Sequence, residues 1–390
     1  MRILLVGDAN SIFFVHYADA LKKAMDDVEI HVYSPIPNKH DYETYPYDYV
    51  YFDDCELKKI NNIRKVSWSY EPYVKRLHFG RFLKRNNIKY DIIHFKWIIP
   101  AWVLGPKAYR KYADKICITM WGGELEHLQL LRSHRYYLAK LGKFLNSADA
   151  YVGTLSNRGL FDRFPFIKSI SKYGVYGSSI IENLSQMSET SDDCKTQMGI
   201  SPDKITVVLG YSGKMLHNHD KILNDIVKHE GFKDVVDKLH FIFPMSRNFG
   251  VAYCDNLETI LKQNGCSYTM IKDYMADDDV ACLRKATDVM FQLSDFDGLS
   301  NSIKECLCAD SILISGDWFP SYHVLKTAGF KYLEVHSREE AVDVFYKVIE
   351  NQHYYKDLVK DNKNLATQQY SWTECIKNWV AVYKELCPES

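Results

Sequence analysis

Short runs of apolar residues alternate along the chain with longer segments in which apolar residues recur every three or four positions. In the first half, the short runs predict buried strands at 2–6, 29–33, 91–95, 116–120 and 150–154. The longer segments between them predict amphipathic helices at 14–26, 73–86, 102–112 and 136–145.

The second half repeats this alternation. It predicts strands at 205–209, 239–243, 267–271, 288–293 and 311–314, and helices at 220–229, 256–264, 279–285 and 302–309. Continuous apolar strands joined by helices are typical of parallel sheets that are covered on both faces. We therefore expect an α/β protein with two doubly wound, Rossmann-like domains that face a central cleft, where such sheets bind their ligands.

Composition divides the chain at 181–204, which is rich in Ser, Thr, Asp and Gln and poor in large apolar residues. This segment predicts a linker or a loosely packed connection between an N-terminal domain at 1–180 and a C-terminal domain at 205–371. Beyond it, the segment 372–390 carries apolar side chains on one face and predicts a final amphipathic helix.

The overall charge and the cysteines exclude several classes of protein. With 49 basic and 50 acidic side chains among 390 residues, the formal net charge is −1, so a general nucleic-acid binder is not expected. No apolar run approaches the ~20 residues that a membrane span needs. The ten cysteines include no Cys-x-x-Cys pair, which favours a reduced, cytoplasmic protein without structural zinc.

The segment 288–310 is the most informative one. An apolar strand runs into a turn with Gly298, and a helix is predicted to begin near Ser302. The free amide groups at a helix N-terminus bind phosphate oxygens. Asp297 and Glu305 flank the turn, where their carboxylates could bind hydroxyl groups of a ligand. A purely structural interpretation stays open, with Ser302-x-x-Glu305 as a capping box and Asp297 as a turn former.

Residues 297–305 resemble the acidic-x7-Glu signature of retaining glycosyltransferase family 4, with Asp297 in place of the usual first Glu. Further stretches resemble motifs of that family in the expected order, at 7–12, 91–97, 148–156 and 316–322. The resemblance covers nearly the whole chain as a pattern. It implies a GT-B glycosyltransferase that uses no cofactor, with a final helix that crosses back to the N-terminal domain.

The resemblance also assigns roles to the residues of this segment. Glu305 would bind the ribose of a nucleotide diphosphate sugar, and Asp297 would face the hydroxyls of the donor sugar. The turn at Gly298 and the amides of Ser300, Asn301 and Ser302 would hold the diphosphate without a metal ion. The acidic run 277–279 stands where a helix cap belongs, which is a likelier use for it than metal binding.

One loop departs from the family pattern. At 210–220 the usual Arg is replaced by Tyr211, and the usual Lys-Gly is replaced by Asn218-His219. This loop resembles instead that of lipid-linked 4-acetamido-4,6-dideoxygalactose transferases, as does Trp121-Gly-Gly-Glu124. In that case the phosphate contacts and the missing positive charge would come from a further set of side chains: Ser212, Asn218, His219, Arg247 and Lys214. For His219 a place at the surface or in a helix cap is the alternative.

On the acceptor side, the candidates follow strand ends of the N-terminal domain. Glu124 would take the proton of the acceptor hydroxyl or position the acceptor, and its alternative role is to cap the next helix. Gly7, Asp8 and Asn10 either touch the acceptor or only shape their turn. His94 lies inside an apolar strand and is predicted to be a satisfied core histidine.

Lys and Arg dominate residues 58–89, where Glu71 is the only acid and aromatic residues are interleaved. This composition suits an anionic membrane surface, although a solvated basic face is the alternative. We therefore expect a retaining glycosyltransferase at the cytoplasmic face of the cell membrane, in peripheral contact with anionic lipid. Its acceptor would be a polyprenyl-linked oligosaccharide for a bacterial surface polysaccharide. The alternative is a partner subunit that binds a sugar nucleotide without transferring the sugar.

Overall fold

A computed structural model describes residues 1–38, 45–53, 71–99, 101–104, 106–120, 135–153, 172–246, 250–295, 297–319 and 322–388. The chain divides into two compact units. Unit 1 comprises Met1–Gly177 together with Trp372–Ser390, and unit 2 comprises Ser178–Ser371.

Strands alternate with helices in both units. The strands are β1 (Arg2–Val6), β2 (Glu29–Ser34), β3 (Tyr49–Phe52), β4 (Tyr90–Phe95), β5 (Ala113–Met120), β6 (Ala150–Gly153), β7 (Lys172–Tyr173), β8 (Ile205–Leu209), β9 (Leu239–Pro244), β10 (Ser267–Ile271), β11 (Val289–Gln292), β12 (Ile312–Gly316) and β13 (Leu333–Val335).

The helices of the first part of the chain are α1 (Ile12–Ala24), α2 (Glu71–Asn86), α3 (Pro106–Tyr109), α4 (Arg135–Leu145), α5 (Ser179–Gln186), α6 (Ser191–Gln197), α7 (His219–Lys228) and α8 (Phe232–Val235). The later ones are α9 (Val251–Gln263), α10 (Asp277–Ala286), α11 (Asn301–Cys308), α12 (His323–Thr327), α13 (Arg338–Glu350), α14 (Gln352–Val359), α15 (Asn362–Tyr370) and α16 (Trp372–Leu386). Short 3₁₀ turns occupy Trp102–Leu104, Met215–His217 and Val236–Lys238.

Each unit is built on one sheet in which the paired strands are parallel. The sheet of unit 1 has seven strands in the order β3-β2-β1-β4-β5-β6-β7, and that of unit 2 has six in the order β10-β9-β8-β11-β12-β13. The predicted α/β class with two doubly wound parallel sheets is confirmed. In both sheets, successive strands are added first on one side of the first strand and then on its other side. The strand order therefore switches between β1 and β4 and between β8 and β11. In such sheets ligands bind at the carboxyl ends of these two strands.

The alternation of side chains along β1 explains why the sheet of unit 1 is covered twice. Leu4 and Val6 belong to one apolar core, whereas Ile3 and Leu5 belong to the core on the other face. The second of these cores includes helix α16, whose Trp379 is fully buried and donates its indole N–H to the Val175 carbonyl at 3.0 Å. The predicted helix at the end of the chain is therefore present and packs within unit 1.

Three local expectations need correction. The segment 181–204 is not a loose linker, because it holds most of α5 and all of α6, and Cys194 and Leu184 are buried there. The predicted helix 102–112 is a 3₁₀ turn followed by the short helix α3, since β5 already begins at Ala113. The acidic run 277–279 forms the first turn of α10, where it interacts with the helix dipole, whereas the cap residue is Ala276.

His94 is a satisfied core histidine, as predicted. It is fully buried on β4, and its two ring nitrogens pair with the Tyr383 hydroxyl and, at 2.7 Å, with Thr119 Oγ1. Burial, with a smaller contribution from Lys96, holds the pKa of His94 well below its ordinary value, so the ring is neutral.

Candidate active site

The candidate site lies in unit 2, at the carboxyl ends of β8 and β11. The loop after β8 and the loop after β11 are joined there by Asn218, whose amide donates to the Leu293 carbonyl at 3.2 Å and to Asp295 Oδ1 at 2.9 Å. Asn218 and Leu299 both adopt left-handed backbone conformations, with φ of 56° and 64°. Such conformations cost energy and concentrate at functional sites.

Asp297, in the loop after β11, is buried and accepts several hydrogen bonds. Tyr211 donates to its Oδ1 at 3.1 Å, while Gln292, at 2.6 Å, and Tyr322 donate to its Oδ2. Tyr211 follows β8, Gln292 ends β11, and Tyr322 is the cap residue of α12, which follows β12; these three strands are neighbours in the sheet. The carboxylate of Asp297 thus ties together three adjacent loops.

Burial shifts the pKa values in this cluster. The pKa of Asp297 is raised above its ordinary value because the loss of water outweighs the hydrogen bonds from Tyr322, Tyr211, Gln292 and the Gly298 amide. Burial, reinforced by the Asp297 charge, also raises the pKa of Tyr211 and Tyr322. Both tyrosines therefore remain protonated near neutral pH and act as donors toward the carboxylate.

Glu305 lies on α11 with both carboxylate oxygens engaged. Arg284 on α10 donates its Nε–H to Oε2 at 3.1 Å, and Ser178 donates its hydroxyl to Oε1 at 2.8 Å. Glu305 and Arg284 are each 5% exposed, so this is a buried ion pair. The guanidinium also donates to Ser302 Oγ at 2.9 Å. A carboxylate has about four lone-pair sites, which leaves acceptor capacity for a ligand hydroxyl.

The structural interpretation of this segment as a capping box at Ser302 is wrong. The cap residue of α11 is Ser300, and no side chain caps the helix. Ser302 lies inside the first turn and accepts from Arg284 instead. The first backbone amides of a helix point out of its N-terminus, and at the start of α11 this arrangement suits a phosphate group.

The loop after β8 is tightly packed. Gly210 has a φ of 62°, and a Cβ atom there would lie 2.8 Å from His219 Nε2. His217 pairs through Nε2 with Ser212 Oγ at 3.0 Å, and its ring contacts Tyr211 with the centroids 4.3 Å apart. Asn218 Oδ1 accepts from Lys221 at 2.8 Å, so the predicted phosphate ligand Asn218 is engaged within the loop.

Both histidines of this loop are neutral. Burial lowers the pKa of His217 to about 4 and that of His219 to about 3. His219 is fully buried as the first residue of α7, not at the surface, and its Nε2 has no hydrogen-bond partner among the described residues. It therefore supplies no positive charge, whereas Lys214 is exposed at the edge of the loop.

The acceptor-side candidates lie at the carboxyl end of β1, beside β4. Asp8 Oδ1 accepts from the backbone N–H and the side-chain amide of Asn10, both at 3.0 Å, so these residues shape their turn. A Cβ atom on Gly7 would lie 2.6 Å from the Phe14 ring. Glu124 and Arg247 lie outside the described residues.

Several residues of the site were not predicted from the sequence. Gln292 could have been identified as a site residue, because it is a polar residue at the end of an otherwise apolar strand. Tyr322 lies at the end of the 316–322 stretch, but nothing there identified its partner. Arg284 and Ser178 are distant from Glu305 in the sequence, and only the fold brings them into contact with it. Within the described part of the chain, no group of three or more His, Cys, Asp or Glu side chains could hold a metal ion.

Residues 2–150 match the family described as Glycosyl transferase 4-like. No curated protein matches the chain. Among solved structures, the chain is similar to a sucrose-phosphate synthase from Thermosynechococcus elongatus, with a TM-score of 0.72, 12% identity and 100% of each chain covered. These are glycosyltransferase folds of the GT-B type. The chain has the GT-B fold, and its residues 2–150 are similar to glycosyltransferases.

Two further solved structures are similar to the chain. Anabaena HepE in complex with UDP and glucose gives a TM-score of 0.67 at 12% identity, with 99% of this chain and 100% of that chain covered. A glycosyltransferase from Rickettsia africae gives 0.65 at 10% identity, with 100% and 99% covered. The predicted GT-B fold and the resemblance to family 4 are thereby confirmed.

No helix in the described ranges of the chain is both long and apolar enough to cross a membrane.

Proposed function

We propose that the chain is a glycosyltransferase that moves one sugar from a nucleotide diphosphate sugar to a lipid-linked oligosaccharide in bacterial surface polysaccharide synthesis, with retention of configuration and without a metal ion. The observation that carries the donor assignment is the position of Asp297 and Glu305 on either side of the uncapped N-terminus of α11. This helix end lies at the switch point of the sheet, where doubly wound folds bind nucleotides. The complexes of HepE with UDP and glucose support the same class of donor.

Within this proposal, Glu305 binds the ribose through the acceptor capacity that Arg284 and Ser178 leave. The amides at Ser300, Asn301 and Ser302 bind the diphosphate and stabilise it as it leaves, since the positive end of the helix dipole points at the developing charge. The pairing with Arg284 at 3.1 Å also offsets the charge of Glu305, which would otherwise repel the diphosphate.

We assign Asp297 an orienting role. A carboxylate that accepts from Tyr211, Gln292 and Tyr322 has little freedom to attack the anomeric carbon. The acceptor hydroxyl therefore attacks on the face that the diphosphate leaves, and a diphosphate oxygen takes its proton. Asp297 holds the sugar in place during this step.

A thermal-shift screen measures which nucleotide the protein binds. It compares UDP, GDP, TDP and CMP, each with and without magnesium. A selective nucleotide at ~100 times its dissociation constant stabilises the fold by about 2.7 kcal/mol. We expect one to do so without magnesium and Glu305→Gln to remove the effect. The control is Glu258→Gln, which alters a surface ion pair with Lys272 in the same unit.

Stabilisation by none of the four nucleotides would contradict the donor site. Binding without transfer of the sugar to any lipid-linked acceptor would instead favour a partner subunit of another transferase.

For the membrane contact, we assign helix α2 of unit 1. Tyr73 and Leu77 are 43% and 59% exposed, and Arg81 and Lys84 follow on the same helix at a spacing that places them along one side. An exposed stripe of apolar and basic residues fits the surface of an anionic bilayer.

The variant Arg81→Gln/Lys84→Gln tests this contact. Each cation near an anionic membrane contributes about 1 kcal/mol, so the double variant should bind phosphatidylglycerol vesicles about 30-fold more weakly in a sedimentation assay. The matched variant Lys228→Gln/Lys233→Gln removes two exposed charges from unit 2 and should bind normally. Equal binding by both variants would contradict the assignment to α2.

A further inference from the structure

Among the side chains that hydrogen-bond around Asp297, Tyr211 differs from the others in its exposure to solvent. Asp297, Gln292 and Tyr322 are 6%, 0% and 2% exposed, so little of their surface is open to solvent. Tyr211 is only half-buried, although its hydroxyl reaches the same carboxylate. It is therefore the most exposed member of this cluster.

The two oxygens of Asp297 are held from different sides. Oδ2 accepts from Gln292 at 2.6 Å and from Tyr322, both of them buried, and these bonds fix the carboxylate. Oδ1 accepts from Tyr211 at 3.1 Å. These three donors occupy most of the roughly four acceptor positions of a carboxylate. Little capacity remains for a direct contact between Asp297 and a sugar.

The hydroxyl of Tyr211 keeps the capacity that Asp297 lacks. A hydroxyl group that donates its one proton has two lone pairs with which to accept, and the neighbouring Ser300 hydroxyl uses at most one of them. Donation to a carboxylate also strengthens it as an acceptor, because successive hydrogen bonds polarise one another. Its ring is fixed against His217, with centroids 4.3 Å apart, so the acceptor oxygen is held in place.

We propose that Tyr211 is a specificity-determining residue of the donor site, whose hydroxyl accepts a hydrogen bond from the donor sugar, and that Asp297, Tyr322 and Gln292 are positioning residues that hold it. This inference rests on the proposed donor site and identifies the side chain that contacts the sugar. Asp297 then acts on the sugar through Tyr211.

The first test examines, without any ligand, the hydrogen bonds that the two tyrosines donate to Asp297. Removing one hydrogen bond from a carboxylate raises its pKa, since the bond favours the charged form. In a ¹³C NMR titration of labelled aspartate carboxyls, assigned with Asp297→Asn, the pKa of Asp297 should rise by about one unit in Tyr211→Phe and in Tyr322→Phe. The other titratable groups close to the cluster are His217 and the two tyrosines. The control is Tyr332→Phe, which removes a tyrosine bond to Glu334 away from the site.

The second test measures Kd for UDP-glucose and for UDP by calorimetry. Tyr211→Phe should weaken UDP-glucose binding about three- to tenfold and leave UDP binding unchanged, because only the sugar loses a partner. Tyr322→Phe should leave the ratio of the two Kd values near that of the wild type.

The possible failures are distinct. If the pKa of Asp297 is unchanged in both phenylalanine variants, the tyrosines do not hold this carboxylate, and the inference is overturned whatever the ligand. If the pKa shifts but Tyr211→Phe weakens UDP and UDP-glucose equally, Tyr211 does not contact the sugar and the inference is overturned. If the pKa shifts and the wild type binds neither ligand, the site does not bind a UDP-sugar and the role of Tyr211 in recognising that sugar fails with it, while the hydrogen bonds that hold Asp297 are confirmed.

Discussion

Glu305→Ala is expected to lower the free energy of unfolding by about 3–5 kcal/mol, because the substitution leaves the Arg284 guanidinium buried without a counter-charge. Arg284 is 5% exposed, and its Nη1 already has no hydrogen-bond partner among the described residues. The remaining bond to Ser302 Oγ does not replace a charge. Urea unfolding should show this loss as a lower midpoint with an unchanged slope.

Two further variants separate this charge effect from a loss of packing. Glu305→Leu/Arg284→Met removes both charges, and replacing a buried ion pair by apolar side chains of similar volume is often neutral. We expect it to recover most of the lost stability while nucleotide binding remains absent. Glu258→Ala, at a more exposed ion pair with Lys262 and Lys272, should cost about 1 kcal/mol or less. If the double variant is as unstable as Glu305→Ala, the destabilisation comes from lost packing and not from an unpaired charge.

This ion pair also shows how far the candidate site could be predicted from the sequence. The spacing of Asp297 and Glu305 and the turn between them are local features, so they predict two carboxylates beside a helix N-terminus. Their partners are not local. Arg284 reaches Glu305 from the preceding helix, and Tyr322 reaches Asp297 from the end of the next strand. Spacing along the chain does not contain these contacts, which depend on the order of the strands in the sheet.

The fold follows the same distinction. The bounds of β1, β8 and β10 agree with the hydrophobic pattern because each strand has a distinct apolar run. The segment 181–204 was misinterpreted because its polar composition hides a few buried residues. Cys194 packs against Cys282 and Ala286 of α10 in a small core. Lys195 is 4% exposed, which composition alone would not predict for a lysine.

Lys195 is buried because it pairs with Asp288, just before β11. Its Nζ lies 2.7 Å from Asp288 Oδ2 and donates to the Lys204 carbonyl at 2.9 Å. Lys356 approaches the other carboxylate oxygen at 3.2 Å, and the Thr206 backbone N–H and hydroxyl both donate to Oδ2 at 3.0 Å. Asp288 thus joins α6, β8 and α14, and it anchors the segment that was expected to be a linker.

Asp288→Asn is therefore expected to destabilise the protein by about 3–5 kcal/mol at pH 7, because Lys195 remains buried without its counter-charge. Burial by itself would raise the pKa of Asp288, but Lys356, Lys195 and the Thr206 amide lower it below its ordinary value. A carboxyl group whose pKa is lower in the folded state contributes stability above its unfolded pKa of ~3.9 and loses that contribution as the pH falls through the folded pKa. The difference in unfolding free energy between the wild type and Asp288→Asn should thus be full at pH 7 and shrink below about pH 4. Urea unfolding at pH 7, 5, 4 and 3 measures this difference, and the exposed Asp278→Asn serves as the control. A difference that stays constant down to pH 3 would mean that the ionised Asp288 carboxylate does not hold α6 in place.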